Sequence, residues 1–109
     1  FLRTQSKISC NYYFQFMLFL ISYKFNDAKA QEKGAKMLIE WYDKGGPQNR
    51  PENYDVKSWI FLPQHGNGYS VVDTDSLETI WCQWRPWREL MEITIEPCVD
   101  LDHAVALYR

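Results

Sequence analysis

IWCQWRPWRELMEITIEP, Ile80 to Pro97, decides the fold of this chain: Trp81, Trp84 and Trp87 run through a helix that turns directly into a strand. Large aromatic side chains dominate burial energetics, so the segment is anchored in a core or an interface. Its second half alternates, with Ile93, Ile95 and Pro97 on one face and Glu92, Thr94 and Glu96 on the other, the pattern of a half-exposed or edge strand ending at Pro97. Upstream, Asp75 is expected to cap the helix with Glu78 as its return partner, and Leu77, Ile80, Trp81 and Trp84 supply the buried stripe. Pro86 either kinks this helix or opens a short second piece as its first residue.

Working outward, Tyr54 to Leu62 and Tyr69 to Thr74 read as strands joined by a turn through Pro63 and Gly66-Asn67-Gly68. Met17 to Phe25, MLFLISYKF, is rich in β-formers and leads to Asn26-Asp27, a helix cap. From Asp27 to Lys44, Ala30, Gly34, Met37, Leu38 and Trp41 form one helical stripe, which Gly45-Gly46-Pro47 ends. Asp100 caps a last helix, Leu101 to Tyr108, whose Ala104, Leu107 and Tyr108 are expected to lie on the sheet. The order is β-α-β-β-α-β plus a short C-terminal helix. It predicts an α+β, ferredoxin-like fold with a four-stranded antiparallel sheet and two helices on one face.

At 109 residues the chain fits one domain, and a domain of this size buries only about 60 to 70% of its unfolded surface, so a partner subunit would help it. Aromatic residues make up 17% and charged residues 24%, which excludes a disordered or fibrous class. Residues 1–16 have no clear period and are expected to be an upstream or disordered extension, with Met17 as the start and 17–109 as a single domain. Without Arg3 and Lys7 the net charge changes from -2 to -4. The alternative is a signal peptide with Tyr12 to Tyr23 as its apolar region, but no small-residue cleavage site follows. Asn11, Gln15 and Ser22 interrupt a run already short of the roughly 20 residues that span a membrane. Cys10, Cys82 and Cys98 form no CxxC pair, and His65 and His103 stand in no metal-site spacing, so neither a disulfide framework nor a metal site is indicated. A reducing cytoplasm is the expected compartment.

The first strand is apolar on both faces, with Phe19, Ile21 and Tyr23 on one and Leu18 and Leu20 on the other, and Trp59 to Leu62 repeats the pattern. Two helices cover only one face of a sheet. Burying Phe19, Ile21, Tyr23, Trp59 and Phe61 at roughly 1.5 to 3 kcal/mol each would drive self-association, so a homodimer with its sheets face to face is expected. The alternative is that residues 1–16 or the last helix fold across that face.

MLFLISYKF, GNGYSVVDTDS, LETIWCQW and RELMEITIEPCVD, taken in order, resemble an uncharacterised family of small bacterial and cyanobacterial proteins, a domain of unknown function. The resemblance covers most of Met17 to Arg109. It implies a ferredoxin-like protomer of the dimeric α+β-barrel type and carries over no catalytic residue. Related barrels include cofactor-independent monooxygenases, lactone isomerases and haem-degrading enzymes, so fold does not decide function. Haem-degrading members place an axial histidine on their second helix, where this chain has Trp81, Cys82, Gln83 and Trp84. No cofactor is expected.

The same element order occurs in RNA-recognition modules, but Asn67, Val71 and Asp73 fail the requirements of their third-strand motif, and the chain has no basic stripe to meet phosphates. Nucleic acid is therefore excluded as a partner. Arg85 and Arg88 bracket Trp87 and would clamp a carboxylate or phosphate, unless they pair with Glu89, Glu92 or Glu96. Asp73, at a strand end, is a candidate base or a turn residue. His65 and His103 have no evident carboxylate to orient them. Tyr23, Trp59 and Tyr69 are candidates to line a cavity beneath the sheet. Three functions follow: a dimer that binds a small organic ligand in an aromatic pocket, a structural or regulatory dimer with a filled interior, or a cofactor-independent monooxygenase or isomerase. The first requires a cavity of roughly 300 Å³ or more with convergent polar groups.

Overall fold

The computed structural model describes residues 17–109, and the expectations for residues 1–16 lie outside the described residues. The elements are β1 (Met17–Phe25), α1 (Ala28–Asp43), β2 (Tyr54–Leu62), β3 (Asn67–Thr74), α2 (Leu77–Trp84), β4 (Met91–Cys98) and α3 (Leu101–Leu107). Single 3-10 turns occupy Gly46–Gln48 and Arg85–Trp87. The strands pair antiparallel in the order β2-β3-β1-β4, the ferredoxin-like α+β arrangement expected from the sequence. β4 lies on an edge, where Pro97 costs no central ladder bond.

Local chemistry accounts for the boundaries. The Asp27 carboxylate accepts from the Ala30 amide at 2.7 Å and starts α1. Gly45 and Gly46, at φ 121° and 55°, adopt backbone conformations that end it. Ser76, not Asp75, caps α2, accepting from the Thr79 amide at 3.1 Å, while Asp75 accepts from the Asn53 side chain. Both residues are good caps; β3 ends at Thr74 as expected, and the helix begins one residue later than the capping-box pattern implied. Pro86 opens the 3-10 turn and does not kink α2.

Register puts Phe19, Ile21, Tyr23 and Phe25 on the helix-covered face of β1, opposite Val72, Ser70 and Gly68 of β3. Ile21, Val72 and Ile80 are fully buried there. In β2 an extra residue, Lys57, bulges between Val56 and Ser58, so Tyr54, Val56, Trp59 and Phe61 all share that face. Leu18, Leu20, Ile60, Leu62, Tyr69 and Val71 fall on the other face, away from α1 and α2.

Three expectations change. Phe19, Ile21, Tyr23, Trp59 and Phe61, assigned to a subunit interface, belong to the helix-covered face, because a period of two separates the faces without saying which one the helices take. Trp81 is 39% exposed, whereas Trp84 and Trp87 are 3% and 7%, so the anchors are the latter pair. Of Ala104, Leu107 and Tyr108, expected on the sheet, Leu107 and Tyr108 are exposed and only Ala104 is half-buried.

Trp84→Ala is expected to cost about 3 to 5 kcal/mol of unfolding free energy and Trp81→Ala at most about 1 kcal/mol, measured by urea denaturation.

Candidate functional site

α1 meets the sheet side of the core at Gly34, Met37 and Trp41. Gly34 meets the Phe25 ring so closely that a Cβ there would strike its Cε1 and Cζ. Two turns later, about 10 Å along the axis, the Trp41 ring lies 5.0 Å from that of Trp59. A cleft of about 370 Å³ lies under the helix, lined by Ala35 and Leu38 of α1, by Tyr23, Trp59 and Phe61 of the sheet and by Trp87 and Met91.

The floor is rigid because its rings and polar atoms are committed to one another. Tyr23 and Phe61 lie parallel within 9°, and Trp59 stands edge-on to Tyr23 at 80°. The Trp59 indole N–H donates to the Tyr23 hydroxyl at 2.8 Å, and that hydroxyl donates to the Ile60 carbonyl at 3.0 Å. Burial pushes the Tyr23 phenol above its usual range, partly offset by the Trp59 bond, so it stays protonated at neutral pH. Gly68 makes the arrangement feasible, since a Cβ at that position would collide with the Ile60 carbonyl and the Tyr23 hydroxyl. A second bond of the same kind, Trp84 Nε1 to the Tyr54 hydroxyl at 2.9 Å, ties α2 to β2 behind the floor.

Of the candidates from sequence, Tyr23, Trp59 and Trp87 meet in this cleft. Tyr69 and Asp73 lie on the opposite face of the sheet, because they alternate with the buried Ser70, Val72 and Thr74. Arg85 and Arg88 are exposed and do not line the cleft, and neither forms an ion pair with Glu89, Glu92 or Glu96. Sequence reasoning missed Phe25, Gly34, Leu38, Trp41, Phe61 and Met91. The available signal was Gly34-Ala35, two adjacent small residues ahead of the bulky Met37, Leu38 and Trp41.

The polar features lie elsewhere. His103 does have a carboxylate orienter: its Nδ1 is 2.8 Å from Asp100 Oδ1, and hydrogen bonds from the His103 amide and ring hold the Asp100 carboxyl below the usual range. His65 sits in the β2–β3 turn, its amide donating to the Leu62 carbonyl. On the open face, Asp73 is paired in register with Asp55, which Lys57 holds at 2.9 Å. Desolvation raises the Asp73 carboxyl, Lys57 partly opposes this, and Asp73 Oδ1 is enclosed without a hydrogen-bond partner. Among the described residues no cluster of histidine, cysteine and carboxylates has metal-binding geometry. No described helix is long and apolar enough to cross a membrane.

A family model matches residues 17–109, the whole of the described domain. The chain belongs to the domain of unknown function DUF3303. No curated protein and no solved structure matches the chain. In this DUF3303 domain the cleft is the concave feature that the aromatic floor builds, and among the described residues it brings together no acid–base or nucleophilic pair.

Two measurements check these assignments. Tyr23→Phe leaves the Trp59 N–H and the Ile60 carbonyl without their partner and is expected to cost about 1 to 3 kcal/mol in chemical denaturation. Asp73 has a folded-state pKa above its unfolded one, so the folded protein binds more protons and this residue opposes folding increasingly as pH rises through that window. Asp73→Asn is accordingly expected to raise Tm at pH 7, with the gain over wild type vanishing below the ordinary carboxylate range.

Proposed function

We propose that this domain binds a small organic molecule in the cleft between α1 and the sheet. The observation that carries the reading is a cleft of about 370 Å³ walled by Tyr23, Trp41, Trp59, Phe61 and Trp87, large enough for a compact ligand and bordered by the helix contacts at Gly34 and Trp41. A purely structural module would fill that volume, since unfilled apolar space forfeits dispersion contacts. The enzymatic alternative, a cofactor-independent monooxygenase or isomerase, finds no support in the cleft, because Asp73, Arg85 and both histidines lie away from it. The free thiols of Cys82 and Cys98 fit a reducing compartment such as the cytoplasm.

A second reading, self-association through the open sheet face, has its own support. Ile60 and Leu62 are 56% and 39% exposed and share that face with Leu18, Leu20, Tyr69 and Val71, an apolar surface that a second copy would cover isologously.

A thermal-shift panel of small aromatic compounds tests the first reading. A compound at a hundred times its Kd is expected to add about 2.7 kcal/mol of stability, and Ala35→Phe, which fills the cleft, is expected to abolish the shift. A shift that survives Ala35→Phe, or none across the panel, counts against it. For the second reading, sedimentation of the wild-type chain is expected to give a dimer that Leu20→Lys with Ile60→Lys converts to monomer; a wild-type monomer sinks it.

A further inference from the structure

We infer that the ligand of the cleft is an uncharged, flat, fused-ring aromatic molecule and not an aromatic acid or a quaternary amine; this rests on the binding reading above. Among the described residues no charged side chain lines the cleft, whose polar residues are Gln31, Tyr23, the indoles Trp41, Trp59 and Trp87 and, at the margin, the exposed Tyr42. Three of those are already committed. Trp59 donates to Tyr23, Tyr23 donates to Ile60, and the Gln31 amide donates to the Pro63 carbonyl at 3.3 Å. A carboxylate or sulfonate entering between these rings would lose its water and find no cation to replace it.

Ring geometry argues against a cation as well. Recognition of an ammonium group uses aromatic faces that converge on one point. Here Tyr23 and Phe61 lie side by side in nearly parallel planes, and Trp59 is edge-on to Tyr23. No carboxylate on the walls would balance the charge. The parallel Tyr23 and Phe61 rings, with the Trp41 ring tilted 50° from Trp59, suit instead the offset stacking of a planar ring system. The volume, about 370 Å³, lies near the lower end for ligand pockets, so one compact molecule fills it.

The test compares N-phenyl-1-naphthylamine, its anionic counterpart 8-anilinonaphthalene-1-sulfonate and, as a displacing competitor, trimethyl(1-naphthyl)ammonium, using the full chain. The neutral probe is expected to bind with a micromolar Kd, and the charged compounds at least tenfold more weakly. Ala35→Phe is expected to weaken the neutral probe at least tenfold, with Leu38→Trp on the same wall serving where the first variant fails to fold by circular dichroism. If the sulfonate or the ammonium compound binds as tightly as the neutral probe, and Ala35→Phe removes that binding, the cleft is a binding site and the neutral-ligand inference is wrong. If no probe binds, or binding is indifferent to both wall variants, the binding reading itself fails and takes the inference with it.

Discussion

Everything around the cleft depends on one shared hydroxyl. Tyr23 lies in a central strand, and its oxygen accepts from Trp59 and donates to the carbonyl of Ile60, fastening β1 across β3 to β2 by side-chain chemistry. Because β3 lies between the two, the hydroxyl must pass over it, and Gly68 is the position that gives way. The bond commits the polar edges of two large aromatics to each other. Their faces, which are apolar, are what remain to be offered to the space under α1. A well-ordered apolar surface of this kind comes from satisfying polar atoms, since an unpaired phenol or indole in the same place would draw water.

The sheet is apolar on both sides, and the two sides solve the problem differently. On the covered side α2 packs closely, with Ile80 and Trp84 buried, whereas α1 packs through Gly34, Met37 and Trp41 and leaves a cleft beside Ala35 and Leu38. On the open side aliphatic residues share the surface with Asp55, Lys57 and Asp73, so the patch is bordered by charge near the bulge. Charges of that kind limit indiscriminate association of an exposed sheet while leaving its apolar centre available.

Much of the fold was legible. The order of elements, the cap at Asp27, the stop at Gly45-Gly46 and the edge character of β4 follow from periodicity and turn chemistry, which act locally. The candidate site was legible in part, through Tyr23, Trp59 and Trp87. What escaped was everything that depends on which side of an element the core takes. Trp81 and Trp84 fit the same helical stripe, but only the second reaches Tyr54. Tyr69 and Asp73 looked like pocket residues because a strand's two faces are equivalent in sequence. The arginines beside Trp87 attracted attention by chemistry, whereas the cleft was set by Gly34 and Ala35, residues conspicuous only for what they lack.

The bulge at Lys57 has a genetic meaning. In an unbroken strand Tyr54 and Trp59, being an odd number of positions apart, would face opposite ways. The bulge absorbs the extra residue, Lys57, and so keeps both on the side of Trp84 and Tyr23. Loss of the Lys57 codon would remove the need for the bulge and leave Trp59 and Phe61 in their present register with β3, whereas pairing Lys57 into a regular ladder would turn both outward, trading the aromatic floor for a greasier exterior. An odd Tyr54-to-Trp59 interval with both aromatics on the cleft side is thus a one-dimensional mark, readable in any related gene, of a bulge in the second strand.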